Sequence, residues 1–150
     1  MASVTLVRRI KARPATVFDA FSTVEGLTSW WGPEDLPLLS AEADVRVGGT
    51  FRVRFPTSDG SVHECTGRFL DIKRPELITM SWQWTMGGEP TERGRTSRLE
   101  LHLRPIVDGT ELTLIHAELG EDAGARSHGR GWDGALNKLI ETYTTSEAGS

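Results

Sequence analysis

A chain of 150 residues is long enough to bury roughly two thirds of its unfolded surface in one domain, and 37% hydrophobic with 25% charged residues implies a folded globular protein. A formal charge of -4 and a pI near 5.6 exclude the basic footprint of a nucleic-acid binder, so no nucleic acid is expected as a partner. The one cysteine, Cys65, excludes an internal disulfide and a multi-cysteine zinc site, and the lack of an apolar run of about 18 residues or a signal-type N terminus makes a cytoplasmic protein with no membrane association the expectation.

Val4 to Ile10 opens as a strand, with Val4 and Leu6 alternating against polar neighbours. Arg8, Arg9, Lys11 and Arg13 form the densest basic run and read as its solvated face. Pro14 suits the first turn of a helix of about ten residues, for which Val17, Phe18, Ala20 and Phe21 supply an apolar stripe. A second short helix runs from Val24 to Trp31 and is ended by Gly32-Pro33. Trp30 and Trp31 point about 100° apart on a helix, so one ring can line an opening while the other is buried. Glu34 to Ala43 reads as irregular.

Gly48-Gly49 marks a turn, after which Phe51, Val53 and Phe55 alternate with Arg52 and Arg54 in a half-buried strand. The next strand, from Val62 towards Ile72, places His63, Cys65, Gly67 and Phe69 on one face. Pro75 lacks a backbone donor, so Lys73 to Glu76 reads as the turn of a long hairpin. In its second arm Ile78, Met80, Trp82 and Trp84 share one face, a large apolar surface that needs a cover.

Met86 to Thr96 reads as a polar loop, followed by a strand with Leu99, Leu101 and Leu103 facing inwards. Asp108-Gly109 turns the chain into a last strand carrying Leu112, Leu114 and His116 on one face. Gly120, Gly124, Gly129 and Gly131 mark a glycine-rich connection. Trp132, Leu136, Leu139, Ile140 and Tyr143 then form one stripe of a C-terminal helix of roughly 20 Å or more. A sheet with one apolar face and a single long helix is satisfied when the helix lies across the sheet.

PATVFDAFST, LTSWWGP, VGGTFRV, GRFLDIKRPELITMSW, DGTELTLIHAEL and GWDGALNKLI occur in this order across nearly the whole chain. In these pieces the chain resembles the branch named for activators of the heat-shock protein 90 ATPase, within the START-like and birch-pollen-allergen-like (SRPBCC) helix-grip superfamily. The resemblance implies one α+β domain over residues 1–150, with a curved antiparallel sheet of about six to seven strands wrapped around a long C-terminal helix and two short helices after the first strand. It also implies a cavity between sheet and helix of the kind that in the superfamily often holds a lipid, sterol, hormone or polyketide. The co-chaperone that names the branch carries a further N-terminal domain for which 150 residues have no room, so a stand-alone relative is implied and a chaperone partner is kept only as an alternative.

No G-x-S-x-G, G-x-x-x-x-G-K-[ST] or H-E-x-x-H motif occurs. His63, Cys65, His116 and Glu118 are the polar candidates on inward faces; read as structure, they are hydrogen-bonded or packed residues, and read as function, the histidines orient an apolar ligand. Neither a metal nor a cofactor is expected. The expected activity is binding of a small apolar or amphipathic molecule, with Trp31, Phe55, Met80, Trp82, Leu101, Leu114, His116, Trp132 and Leu136 as wall residues. Most of these double as core. Burying each Trp- or Leu-sized group contributes roughly 1.5 to 3 kcal/mol, enough in sum for micromolar binding after ordering costs. The alternatives are an interaction module of co-chaperone type and a cyclase or hydrolase using His116 or Tyr143; a homodimer is left open.

Overall fold

The structure is a computed structural model and describes residues 2–30, 39–56, 60–87, 95–120 and 122–148. Strand β1 (Ala2–Ile10) is followed by helices α1 (Pro14–Ser22) and α2 (Val24–Trp30), strands β2 (Ser40–Ala43), β3 (Thr50–Pro56), β4 (Val62–Lys73), β5 (Leu77–Met86), β6 (Ser97–Ile106) and β7 (Gly109–Leu119), and helix α3 (Asp122–Ala148). Among the described residues the strands form one seven-stranded antiparallel sheet in the order β1-β7-β6-β5-β4-β3-β2. It curves around α3, and the expected α+β architecture is the observed one.

Alternation sets which face is buried. Met80, Leu99, His116 and Val4 stand opposite one another across β5, β6, β7 and β1, and Ile78, Leu101, Leu114 and Leu6 form the next row. Ala135, Leu136 and Leu139 of α3 close over this face and are buried. Covering two leucines of that size contributes roughly 1.5 to 3 kcal/mol each. Arg8 of the basic run is half-buried and reaches Asp133 of α3 at 2.7 Å, a departure from the expected solvated face; Arg9, Lys11 and Arg13 are exposed.

Curvature comes from β4 and β5. Their register shifts between Glu64 and Cys65 and again between Phe69 and Asp71, and each irregularity bends the pair. Between them the Arg68 N–H donates to Ser81 Oγ at 2.9 Å. Gly67 lies so close to the Ser81 carbonyl that a side chain could not be placed there.

Pro14 opens α1 as predicted, and Thr23 joins the two short helices: its hydroxyl donates to the Asp19 carbonyl at 2.8 Å and accepts from the Gly26 N–H at 2.9 Å. The predicted hairpin at Lys73 to Glu76 is present, and Arg74 pins it to α1 through Asp19 at 2.7 Å and over the Phe18 ring at 5.1 Å.

Two expectations are corrected. Ser40–Ala43, read as irregular, is an edge strand on β3. The glycine-rich connection does not exist as such: α3 begins at Asp122 and runs 27 residues, about 40 Å, with Gly124, Gly129 and Gly131 inside it. At Gly129 the lack of a side chain admits β1, since a Cβ would lie 3.2 Å from Val4 Cγ2. No helix among the described residues is long and apolar enough to cross a membrane.

Gly131 faces open space, so nothing but backbone entropy distinguishes it from alanine. Gly131→Ala is expected to raise stability by about 0.5 to 1 kcal/mol, whereas Gly129→Ala gains less or loses stability because Val4 must move. Urea denaturation of the two variants checks this, and an equal gain at both positions would refute the packing role of Gly129.

Candidate ligand site

The inward face of β5 begins as core and ends at solvent. Ile78, Met80 and Trp82 are buried, and Trp84 is half-buried. From Trp84 a connected set of rings runs in both directions. Towards β3 and the start of β4, Trp84 meets the buried Phe55 and the half-buried His63 with centroids 6.1 Å away, and those two lie 5.5 Å from each other. Inwards, Trp84 stands edge-on to Trp82 at 5.7 Å, and Trp82 meets His116 at 5.4 Å and Trp132 at 5.3 Å. His128 of α3 completes the group, 4.7 Å from His116 and 6.0 Å from Trp84. Edge-on and tilted arrangements of this kind place the positive rim of one ring towards the negative face of another.

The hydrogen bonds inside this group determine where its protons sit. The Trp132 indole N–H donates to His116 Nδ1 at 3.1 Å, so that nitrogen carries no proton. A neutral His116 must then hold its proton on Nε2, which donates to Ser97 Oγ at 2.8 Å, and the Ser97 hydroxyl donates onwards to the Trp82 carbonyl at 3.3 Å. His128 is fixed the opposite way. The Trp84 indole N–H donates to its Nε2 at 3.0 Å, and its Nδ1–H donates to the Gly124 carbonyl at 2.8 Å. Two indoles thus hold two adjacent imidazoles neutral and in opposite tautomers.

Burial holds His116 well below its ordinary pKa, and a positive charge on the nearby His128 would lower it further. The same arrangement removes the Ser97–His116 pair from nucleophilic catalysis, because the nitrogen facing Ser97 is a donor and cannot take the hydroxyl proton. Burial, with Glu64 beside it, pushes the Cys65 thiol well above its ordinary range and leaves it unreactive. The Tyr143 phenol, half-buried, is held protonated by burial and by Asp19; it lies about 16 Å along α3 from Trp132, away from the imidazoles. Glu64 lies on the other face of β4, where the Thr85 hydroxyl and the Arg54 guanidinium, each 2.6 Å away, lower its pKa.

The expected wall residues fall into three groups. Phe55, Trp82, His116 and Trp132 join the ring cluster. Met80, Leu101 and again Trp132 line a void of about 10 Å³ beneath α1 and α2, together with Phe21, Leu27, Phe51, Phe69 and Leu99. That space is about one water molecule, so side chains fill this part of the interior. Leu114 and Leu136 are fully buried core residues away from that void. Trp31 lies outside the described residues. Glu118 is exposed, with a left-handed backbone (φ 62°), and does not join His116. No group of three or more His, Cys, Asp or Glu suited to a metal occurs among the described residues.

Sequence reasoning missed His128 and Ser97 and left Trp84 out of the wall. A signal for His128 existed: it stands one turn before Trp132 and extends the apolar stripe of α3 backwards. The glycines beside it obscured that periodicity.

A family model described as activator of Hsp90 ATPase homolog 1-like protein matches residues 11–144. No curated protein matches the chain. Among solved structures, a protein from Chromobacterium violaceum is 24% identical with a TM-score of 0.83, covering 94% of this chain and 96% of its own. The AHSA1 protein from Silicibacter pomeroyi is 27% identical with a TM-score of 0.82, covering 97% and 99%. A protein from Nitrosomonas europaea is 18% identical with a TM-score of 0.79, covering 97% and 96%.

The lowered pKa of His116 has a definite sign in stability. Unfolded, the residue titrates near 6.5; folded, it binds its proton only at much lower pH. Its contribution is complete above pH 6.5 and is lost as pH falls further, because the unfolded chain takes up a proton that the folded one refuses, with a slope approaching 1.4 kcal/mol per pH unit. Denaturant titrations at pH 7.5, 6.5 and 5.5 should show this slope in the wild type and a smaller one in His116→Gln. Equal slopes would contradict the assignment.

Proposed function

The chain belongs to the activator of Hsp90 ATPase homolog 1-like family, and on that premise we propose that it is a ligand-binding domain for a small apolar or amphipathic molecule, held between the sheet and α3. The observation that carries this reading is the continuous set of rings from half-buried His63 and Trp84 to buried Trp82, His116 and Trp132. Large aromatic side chains are favoured at binding surfaces because they offer much apolar area and a polar edge at little entropic cost.

The ligand enters at the Trp84 end. Beneath α1 and α2 the space is about 10 Å³, so a molecule there would have to displace several core side chains at once. At Trp84 a single half-buried ring has to turn aside. Covering several such rings at roughly 1.5 to 3 kcal/mol each, less the ordering cost, leaves a net of at most about 8 kcal/mol, which corresponds to micromolar rather than nanomolar affinity.

Native mass spectrometry of freshly purified protein, compared with denatured protein, tests this together with thermal shifts across a panel of apolar and amphipathic compounds. A retained mass released on denaturation, or a saturable rise in Tm of a few degrees with members of the panel, is the expected result. Absence of both would overturn the ligand reading and favour the protein-interaction role that the family's name describes.

A further inference from the structure

Resting on the ligand reading above, we propose that the Trp84 indole occupies the place of the ligand, and that His128 selects flat aromatic molecules that donate one hydrogen bond, the chemistry of phenols and indoles. Of the two imidazole nitrogens that accept from an indole, His116 Nδ1 is capped by Trp132, which is only 6% exposed and packed in the core. His128 Nε2 is capped by Trp84, which stands between this buried histidine and the half-buried His63. Trp84 is the cap that can be exchanged.

The requirement for a donor follows from the backbone. His128 gives its Nδ1–H to the Gly124 carbonyl one turn earlier in α3, so Nε2 is left as an acceptor. A buried acceptor that loses its donor is penalised, so a molecule that displaces Trp84 must bring an O–H or N–H of its own. A phenol or indole reproduces the lost bond and the ring contacts with Phe55 and Trp82. An ether, a ketone or a carboxylate sets one acceptor against another. Specificity of this kind discriminates more strongly than a missing methylene does, because the wrong molecule leaves a buried polar group unpaired.

The test compares 2-naphthol with 2-methoxynaphthalene and 2-naphthoate, three flat molecules of similar size, by calorimetric titration. Wild-type protein is expected to bind 2-naphthol at least 10-fold more tightly than the ether and to reject the carboxylate. In His128→Leu the preference for the phenol should vanish while the ether binds as before or better; in Trp84→Phe, which keeps a ring but removes the cap, 2-naphthol should bind more tightly. Should a variant fail to fold, wild-type NMR supplies the readout: the Trp84 Nε1–H resonance moves on adding 2-naphthol and stays in place with the ether. Equal affinity for phenol and ether, or a preference that survives His128→Leu, would refute the donor requirement while leaving the ligand site standing. If none of the three binds, this inference falls, and the ligand reading stands or falls separately with the retained mass and the compound panel.

Discussion

A nitrogen buried in an apolar shell must be hydrogen-bonded, and four such nitrogens on two imidazoles impose the geometry on which this interior depends. Their partners come from separate elements: Trp84 from the end of β5, Ser97 from the start of β6, Trp132 and the Gly124 carbonyl from α3. The two histidines themselves sit on β7 and α3. Sliding α3 by one residue would break both indole bonds together, so the network sets the register of helix on sheet more sharply than apolar packing alone, which tolerates small shifts.

The curvature of the sheet is what lets these elements meet. The bulged pairing of β4 with β5, and the close approach at Gly67, turn the end of β5 towards α3. At the opposite end, Arg74 binds Asp19 and covers Phe18, fastening the β4–β5 hairpin to α1. The two regions of the interior differ in consequence. Beneath α1 and α2 aliphatic and aromatic side chains leave room for about one water, whereas at the Trp84 end rings meet solvent and a polar edge.

Most of the strands were legible because each alternates cleanly: Leu99, Leu101 and Leu103 could face only one way, and Pro75 announced the hairpin. Strand β2 was not, since Ser40–Ala43 has no large apolar residue and is a strand only because β3 offers it partners. The start of α3 was hidden by glycines whose low helix propensity is overridden by packing, visibly so at Gly129 against Val4. Losing that stretch of helix meant losing His128. Without it His116 could be placed only by parity, and the pairing of each imidazole with an indole depends on contacts between elements that no local pattern encodes. The family motifs, likewise, carried the fold and not the site.

The register of α3 on the sheet and the donor preference of the site both rest on two neutral imidazoles held in opposite tautomers by Trp84 and Trp132. Nitrogen-15 NMR of the histidine rings at neutral pH tests this most directly. The expected spectrum has the proton of His116 on Nε2 and that of His128 on Nδ1, each in slow exchange. Reversed tautomers, rapid exchange between the two forms, or a charged imidazolium at either residue would contradict it.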